Sequence, residues 1–321
     1  MPPQSSNAPI VARNLVRTFG SGEREIRAVD GVDLEVAAGE VFGFLGPNGA
    51  GKSTTVRMLT TLLRPTSGSA TVAGFDIVSE ADSVRRSIGV ALQDAAIDPL
   101  MTGMELLKLQ AVLYGIARGE QHQRAGDLLE RVGLSAAADR RVGTYSGGMR
   151  RRLDLALALI HEPTVLFLDE PTTGLDPMSR LALWDEIRRL NNDGTTVLLT
   201  TQYLEEADQL ADRVAIIDNG RIVRDGRPDE LKSEVGAPTL LITVAEHATS
   251  AAETVLAQFG ESRPTAEGTL GVGLRDGAGE VSAVVRALDA LGINVEHLEL
   301  RAPSLDDVFA EATGHRLEGA S

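Results

Sequence analysis

Apolar residues follow two spacings along this 321-residue chain. Short apolar runs between turn residues predict buried strands, whereas apolar residues three and four positions apart predict helices that face a core. The runs at 41–45, 87–92, 164–168 and 195–200 are of the first kind, and the segment 56–63 is of the second. The pattern therefore predicts an α/β domain built on buried, largely parallel strands.

Two further patterns flank these core strands. Alternation of apolar and polar residues around turns at 10–36 and 68–77 predicts a small antiparallel β-subdomain. Helical periodicity at 102–118 and 121–132 predicts a helical insert. The segment 218–221 contains Asn-Gly between two apolar runs, which is a strong hairpin signal, and the first domain is expected to close near it.

The composition changes after Gly226 and Pro228, where a second, smaller domain is predicted. Its strand and helix patterns follow the order β-α-β-α-β-α, at 240–244, 250–259, 270–274, 281–291, 295–300 and 305–312. No nucleophile–base pair, metal-ligand cluster or glycine-rich loop occurs in this part of the sequence, so a structural or assembly role is favoured. The expected organisation is a disordered tail at 1–9, a first domain at 10–235 and a regulatory or assembly domain at 236–321.

Composition and charge exclude several classes of function. The 31 Lys and Arg residues against 46 Asp and Glu residues give a net charge of -15, which disfavours direct binding to nucleic acid or to anionic lipid. The absence of cysteine excludes disulfides, cysteine zinc sites and thiol catalysis. The amino-terminal residues lack the apolar core of a signal peptide, and no run of 18 apolar residues predicts a membrane span.

The first strand pattern leads into a phosphate-binding loop. The loop fits the pattern G-x-x-x-x-G-K-[ST], in which glycines let successive backbone N–H groups face an anion at a helix amino terminus. In this loop the lysine is expected to contact the β- and γ-phosphates of a nucleoside triphosphate, and the serine hydroxyl to bind Mg²⁺. The loop comprises Gly46, Pro47, Asn48, Gly49, Ala50, Gly51, Lys52, Ser53 and Thr54.

Two acidic residues, Asp169 and Glu170, end the apolar run at 164–168. The carboxyl ends of parallel strands present catalytic side chains, and two acids at the end of a buried strand have no ordinary structural explanation. These carboxylates are therefore strong candidates for the chemistry of the site.

A second glycine-containing helix start follows the helical insert. Ser146 is a candidate N-cap, and Gly147 and Gly148 leave backbone N–H groups open to an anion. The basic residues at 150–152 oppose the helix dipole, a mismatch that a phosphate partner would relieve.

Single aromatic or amide residues carry less information. Phe19 lies in the first β-region, where its ring suits either adenine stacking or a hydrophobic core. Gln93 and Gln202 follow predicted strands, and Asp176 lies in a turn before a predicted helix. The functional roles of these four residues can be assigned only together with the other motifs.

In their order along the chain, these motifs resemble the full motif set of an ABC transporter ATPase over about residues 10–235. The segments 145–152 and 201–208, with the tail residues 305–309 and 313–315, are similar to the daunorubicin/doxorubicin-resistance ATPases of actinobacteria. The resemblance implies a P-loop ABC ATPase fold of the α/β class. It comprises a mixed-sheet core with an antiparallel β-subdomain and a helical insert, plus a small C-terminal α+β domain.

The resemblance implies that ATP and Mg²⁺ are bound by these motifs. Phe19 matches the position that stacks on adenine, where tyrosine is more usual. Lys52, Ser53 and Thr54 match residues that contact the phosphates and Mg²⁺. Gln93 matches a residue that senses Mg²⁺ and the attacking water, at the hinge where a membrane partner docks.

The resemblance also assigns roles in hydrolysis and dimerisation. Asp169 matches the acid that organises Mg²⁺, and Glu170 matches the general base. The segment 146–148 matches the signature motif, which binds the γ-phosphate held by the other subunit of a head-to-tail homodimer. Asp176 matches the loop that links the two sites across that dimer.

Two positions depart from the commonest family pattern. Met149 stands where glutamine is most frequent, a change that backbone donors and Ser146 should tolerate. Gln202 stands where most members have a histidine that contacts the γ-phosphate. A glutamine can still donate a hydrogen bond to a phosphate oxygen, so rate and pH dependence are the properties in question.

The expected function is an ATP-hydrolysing subunit that energises export of a hydrophobic drug or lipid-like compound. Its expected partners are a second copy of itself and a separately encoded integral-membrane permease, which places it at the cytoplasmic face of the cell membrane. An importer ATPase and a polysaccharide or lipid exporter are the nearer alternatives. A soluble ABC ATPase of translation or DNA repair is disfavoured, because such proteins typically bring a second P-loop, a coiled-coil insertion, zinc cysteines or a basic surface.

Overall fold

The computed structural model of the protein describes residues 8–20, 25–92, 97–236, 238–263, 268–274 and 277–315. These residues divide into two units, the first ending at Arg227 and the second beginning at Pro228.

The first unit alternates strands and helices along the chain. Its strands are β1 (Ile10–Phe19), β2 (Ile26–Val36), β3 (Val41–Leu45), β4 (Ser67–Val72), β5 (Phe75–Asp76), β6 (Ile88–Ala91), β7 (Val165–Asp169), β8 (Thr196–Thr201), β9 (Arg213–Asp218) and β10 (Arg221–Gly226). Its α-helices are α1 (Lys52–Leu59), α2 (Ala81–Ser87), α3 (Gly103–Leu113), α4 (Arg118–Arg131), α5 (Gly147–Leu159), α6 (Pro177–Asn192) and α7 (Leu204–Leu210).

A sheet in the order β10-β9-β3-β8-β7-β6 forms the centre of this unit. Neighbouring strands from β9 to β6 are parallel, and β10 pairs antiparallel with β9 at one edge. Every residue of β3, β7 and β8 is buried, because helices or the second sheet cover both faces. The parallel arrangement brings the carboxyl ends of β3, β7 and β8 to one edge, where the candidate site lies.

An antiparallel sheet in the order β2-β1-β4-β5 packs beside this centre. Its apolar side chains share one hydrophobic cluster with α1 and with one face of the central sheet, including Leu15, Val29, Met58 and Phe44. The helix that follows the glycine-rich loop is therefore held between two sheets.

Helices α3 and α4 form the insert between β6 and β7. Helix α3 begins with a capping box, in which the Thr102 hydroxyl accepts from the Glu105 backbone N–H and the Glu105 carboxylate accepts from that of Thr102. Leu107 and Leu129 pack with Leu153 of α5 in a separate hydrophobic cluster. The insert thus has its own core and shares α5 with the rest of the unit.

The second unit contains α8 (Pro228–Val235), β11 (Thr239–Val244), α9 (Thr249–Leu256), β12 (Gly260–Arg263), β13 (Leu270–Leu274), α10 (Val281–Asp289), β14 (Val295–Arg301) and α11 (Leu305–Thr313). Its strands form an antiparallel sheet in the order β12-β13-β11-β14. The sequence pattern missed β12, because Gly-Glu-Ser-Arg has no apolar alternation and is recruited through backbone pairing with β13.

A fully buried glutamate joins the helices α6 and α7. The Glu206 carboxylate is inaccessible to solvent and accepts a hydrogen bond of 3.1 Å from Trp184 Nε1. Burial raises the pKa of Glu206, while the polar groups of Thr201, Thr172 and Trp184 act in the opposite direction.

Because this pKa is raised, the folded protein retains a proton on Glu206 at pH values where the unfolded chain has lost it. Stability contributed by this carboxyl is present at acidic pH and falls as pH rises through the folded pKa, by about 1.4 kcal/mol for each unit of difference. Glu206→Gln keeps the acceptor for Trp184 and does not titrate, so the variant should gain stability relative to wild type between pH 5 and pH 8. Urea unfolding at both pH values measures this gain. The exposed neighbour Glu205 gives the control, Glu205→Gln, and equal pH trends for wild type and Glu206→Gln would contradict the assignment.

Candidate nucleotide-binding and hydrolysis site

The glycine-rich loop lies directly on neighbouring backbone. A Cβ atom at Gly46 would lie 2.3 Å from the Ile217 carbonyl oxygen, and one at Gly51 would lie 2.4 Å from that of Ala28. Gly51 also has a φ of 107°, a left-handed conformation that favours glycine, immediately before α1 begins at Lys52. The two glycines therefore permit the close approach that shapes the loop.

Lys52 is buried within this loop. Its Nζ donates to the carbonyl oxygens of Gly46 (2.7 Å) and Pro47 (3.0 Å), and lies 3.6 Å from Glu170 Oε1. Burial lowers the pKa of Lys52, and the nearby carboxylates of Glu170 and Asp169 oppose that effect. The ammonium group is thus placed between the loop and the acidic end of β7.

Asp169 and Ser53 meet at the edge of the sheet. Ser53 Oγ donates to Asp169 Oδ1 at 3.0 Å, although the two residues are far apart in sequence. Thr200 Oγ1 donates to the same oxygen at 2.5 Å. The arrangement gathers a hydroxyl and a carboxylate beside the first turn of α1.

Glu170 has an unusual backbone conformation for a non-glycine residue, with a φ of 48°. Its N–H donates to the carbonyl oxygen of Thr200 (3.1 Å) and lies 3.0 Å from the Thr200 hydroxyl oxygen. Thr173 Oγ1 donates to Glu170 Oε2 at 3.2 Å. These contacts hold the carboxylate where β7 ends, facing Lys52.

Thr200 is a site residue that the sequence pattern did not single out. It lies within the buried strand β8 and pairs in register with Asp169 of the neighbouring strand β7. Three of the six residues of β8 are threonines, so a hydroxyl alone does not single out Thr200, and only the strand register shows that it faces the carboxylate.

The second glycine-containing helix start has the predicted cap. Ser146 is the N-cap of α5 and accepts from the Met149 N–H. Ser146 and Gly147 are exposed, whereas a Cβ at Gly148 would lie 2.7 Å from Ser179 Oγ. Ser179 in turn bonds Asp176, the exposed N-cap of α6, so the amino termini of α5 and α6 lie in contact.

Two of the basic residues near the start of α5, whose mismatch with the helix dipole a phosphate partner would relieve, have acceptors within the protein. Arg151 and Arg152 donate to backbone carbonyls, Arg152 to that of Val132 at 3.0 Å, whereas Arg150 is exposed. Tertiary acceptors therefore offset the unfavourable helix dipole at these two positions.

A cleft of about 370 Å³ lies between the start of α5 and the end of β7. Gly147 at the start of α5 and Glu170 at the end of β7 both line it, together with Thr173 and Gly174. The start of α5 and the proposed general base thus face the same cleft.

Phe19, Gln202 and Gln93 are the remaining single-residue candidates. Phe19 ends β1 with its ring 41% exposed and the Arg17 guanidinium 4.6 Å from the ring centroid. Gln202 is half-buried directly after β8, next to Thr201, whose carbonyl accepts from the Gly46 N–H at 3.3 Å. Gln93 lies outside the described residues.

Two family models match the chain. One, described as "ABC transporter", matches residues 29–173, and the other, "ATP-binding protein DrrA1-3-like, C-terminal domain", matches residues 226–313. The chain is 49% identical over 298 residues to the daunorubicin resistance ATP-binding protein DrrA2 of Streptomyces coeruleorubidus, which covers 92% of each chain. The chain belongs to the daunorubicin/doxorubicin-resistance family of ABC transporter ATPases.

Other relatives of this ABC ATPase give the same result. The doxorubicin resistance ATP-binding protein DrrA of Mycobacterium tuberculosis is 42% identical over 97% of this chain and 95% of its own. A dimeric post-hydrolysis structure of the ATP-binding cassette MJ0796, bound to ADP and Pi, has a TM-score of 0.63 and 27% identity over 68% of this chain and 98% of its own.

These findings confirm the predicted family, fold class and enzyme class. The protein is the ATP-binding and ATP-hydrolysing subunit of an ABC exporter, and such cassettes pair with a membrane permease and dimerise. Within the described ranges, no helix has both the length and the apolar character that crossing a bilayer requires.

The close approach at Gly46 generates a stability prediction for this ABC ATPase. Gly46→Ala places a Cβ against the Ile217 backbone oxygen, so the free energy of unfolding should fall by about 1–3 kcal/mol and ATP affinity should fall with it. Gly126→Ala on α4 is the matched control, because that Cβ meets no atom within 4 Å and should stabilise the helix by about 0.5–1 kcal/mol. Urea unfolding and equilibrium ATP binding measure both, and an unchanged midpoint for Gly46→Ala would refute the close contact.

Proposed function

We propose that this ABC ATPase energises export of a hydrophobic drug through a separately encoded permease at the cytoplasmic face of the membrane. The names of its relatives support this direction of transport and class of cargo. They include daunorubicin and doxorubicin resistance proteins, a linearmycin resistance protein 34% identical over 95% of this chain, and a Nod factor export protein 38% identical over 97%. Export and resistance occur in these names, which disfavours the importer alternative.

The observation that carries the hydrolytic part of the proposal is the meeting of Lys52 and Glu170, 3.6 Å apart at the glycine-rich loop. Phosphoryl transfer to water needs positive charge beside the phosphates and an acceptor for the proton of the attacking water. Lys52 supplies the charge, and Glu170 at the end of β7 orients the water and accepts its proton. Loop residues 46–54 enclose the phosphates with backbone N–H groups.

The oxygen atoms beside Lys52 fit a magnesium ion. Mg²⁺ prefers oxygen ligands and is usually held by one or two protein groups together with substrate phosphates. Ser53 Oγ and Asp169 Oδ1, 3.0 Å apart at the start of α1, provide such a pair, with Gln93 as a further predicted contact. When bound, the ion neutralises charge on the phosphates, and Thr200 keeps the Asp169 carboxylate in place.

The same site is completed by a second copy of the chain. Ser146, Gly147 and Asp176 are exposed at the amino termini of α5 and α6, which lie in contact. We assign residues 146–148 and Asp176 to the nucleotide of the partner in a head-to-tail homodimer. Phe19 stacks on adenine, and Gln202 donates to the γ-phosphate. We assign the segment 236–321 to a regulatory or assembly domain.

The transported class can be tested with the complete transporter. The ATPase is purified with its native permease in lipid vesicles, and ATP turnover is measured with anthracyclines, other hydrophobic antibiotics and hydrophilic compounds of similar size. Stimulation by hydrophobic drugs alone, with their movement out of the ATP-containing compartment, is the expected result. Movement toward that compartment would overturn the proposed direction.

Glu170→Gln is the direct test of hydrolysis. Removing the proton acceptor while keeping the shape of the side chain should lower ATP turnover by about 10²- to 10⁴-fold and trap an ATP-bound dimer. Turnover of the transporter and size-exclusion chromatography of the ATPase with ATP provide the two measurements. The control Glu162→Gln changes an exposed carboxylate before β7 and should leave both unchanged. A Glu170→Gln protein that stays monomeric with ATP would contradict the dimer.

Gln202 gives a test of geometry without titration, because an amide has no pKa near neutrality. Gln202→Ala should lower turnover by about 10- to 10³-fold with a smaller effect on ATP affinity, since the donor matters most as charge shifts in the transition state. Gln202→Glu should be worse, and Gln202→His should keep much of the activity with a pH-dependent limb near about 6.5. Steady-state rates from pH 6 to 8 measure the series, with Gln123→Ala on α4 as control. Wild-type turnover in Gln202→Ala would contradict a hydrogen bond from Gln202 to the γ-phosphate and would show that the side chain only fills space.

A further inference from the structure

Arg151 reaches from α5 to the carboxyl ends of β6 and β7, two neighbouring strands of the six-stranded sheet. Its Nη2 donates to the Asp169 carbonyl oxygen at 2.7 Å, and its Nη1 to that of Leu92 at 2.7 Å. Its Nε donates to the carbonyl oxygen of Pro171 at 2.9 Å. The Asp154 carboxylate, within the same helix, accepts from Nη1 at 3.1 Å. Each nitrogen of this guanidinium therefore has an acceptor at or just after the end of β6 or β7, or on α5.

The stability of α5 does not account for this residue. Arg151 is the fifth residue of α5, where a cation gains nothing from the helix dipole, since cations are stabilised at the carboxyl end, and only 13% of its side chain is exposed. A planar guanidinium with five N–H donors can reach carbonyls that diverge in space, whereas a lysine has a single nitrogen. These hydrogen bonds therefore require arginine, and they fix the backbone at the ends of β6 and β7.

The three carbonyls belong to residues that adjoin the hydrolytic groups. Asp169 and Pro171 lie on either side of Glu170, and Leu92 precedes Gln93. Two hydrogen bonds hold Glu170 in its left-handed conformation, with a φ of 48°. Thr200 accepts from the Glu170 N–H, and Arg151 donates to the carbonyl oxygen of Pro171. The backbone around the proposed general base is thus fixed from both directions.

The amino terminus of α5, which contains the signature segment, lies close to Arg151. Ser146 and Gly147 lie about one turn before Arg151, a distance of roughly 6–8 Å along the axis. Gly147 lines the same cleft as Glu170. The same helix therefore carries the signature segment and an arginine that bonds the backbone on both sides of Glu170.

We propose that Arg151 is a positioning residue that conveys the seating of the signature segment 146–148 to the general base Glu170 of the same subunit. The proposal rests on the proposed dimer, in which segment 146–148 contacts the nucleotide of the partner. Each subunit then sets its own Glu170 for hydrolysis only when its own signature segment has engaged the second ATP.

The test compares closure with turnover in Arg151→Lys, which keeps the charge and loses the planar fork. With Glu170 intact and the permease present, kcat should fall by about 10- to 10²-fold, as expected for loss of one or two charge-assisted hydrogen bonds, while KM for ATP changes by less than about threefold. In the Glu170→Gln background, ATP should still drive dimerisation of Arg151→Lys at the concentration that Glu170→Gln alone requires.

Controls separate this role from general support of the fold. Arg124→Lys is the matched variant, because Arg124 also donates to a carbonyl, Ile160 at 3.1 Å, and pairs with an exposed carboxylate, yet contacts no site residue. It should leave kcat unchanged. Asp154→Asn removes only the carboxylate that bonds Arg151 and should give a smaller loss of kcat, about three- to tenfold. Thermal unfolding of each variant shows whether the fold is retained.

Two results would overturn the proposal. One is a kcat for Arg151→Lys within twofold of wild type. The other is a loss of turnover matched by an equal loss of ATP-driven dimerisation, which describes a structural arginine. If Glu170→Gln alone fails to dimerise with ATP, the proposed dimer fails without reference to Arg151, and the split between kcat and KM still decides whether Arg151 positions Glu170.

Discussion

The hydroxyl of Thr200 is the contact on which the geometry of the hydrolytic site depends. It donates to the Asp169 carboxylate at 2.5 Å and lies 3.0 Å from the Glu170 backbone nitrogen, while the Thr200 carbonyl accepts from the same N–H. A single residue of β8 therefore sets the positions of both acids at the end of β7. This contact exists only because β7 and β8 are parallel and pair Asp169 with Thr200. The chemistry thus follows from strand register, and a slip of one residue would turn Thr200 to the other face.

Features with local signals could be predicted from the sequence. Each of these signals involves residues within a few positions of one another. They are the glycine-rich loop, the Ser146 cap, the Asn219-Gly220 hairpin and the two acids at the end of β7. Asn219 and Gly220 adopt φ values of 47° and 78°, as a two-residue hairpin turn requires. The fold class followed from the same signals, because buried runs alternating with helices favour a parallel sheet.

Features that depend on tertiary contacts could not be predicted in this way. The strand Gly260–Arg263 has no apolar alternation and forms through backbone pairing with β13. The basic turn of α5 indicated an anion, yet Arg151 is satisfied by carbonyls at strand ends that lie 18 to 59 positions away. Neither the register of β7 with β8 nor the direction of the Arg151 side chain is encoded in a nearby pattern. Periodicity identifies elements, whereas pairing decides which polar groups meet.

The backbone that supports the glycine-rich loop comes from a distant part of the chain. The Ile217 carbonyl lies against Gly46, the Gly220 N–H donates to the Ala50 carbonyl at 2.9 Å, and the Gly220 carbonyl accepts from Asp30 at 2.9 Å. During synthesis, residues 46–54 emerge from the ribosome long before the β9–β10 hairpin that supports them. The nascent loop therefore lacks its supporting backbone until about 170 further residues have been added. The nucleotide site can therefore form only late in synthesis, although its glycine-rich loop lies near the amino terminus.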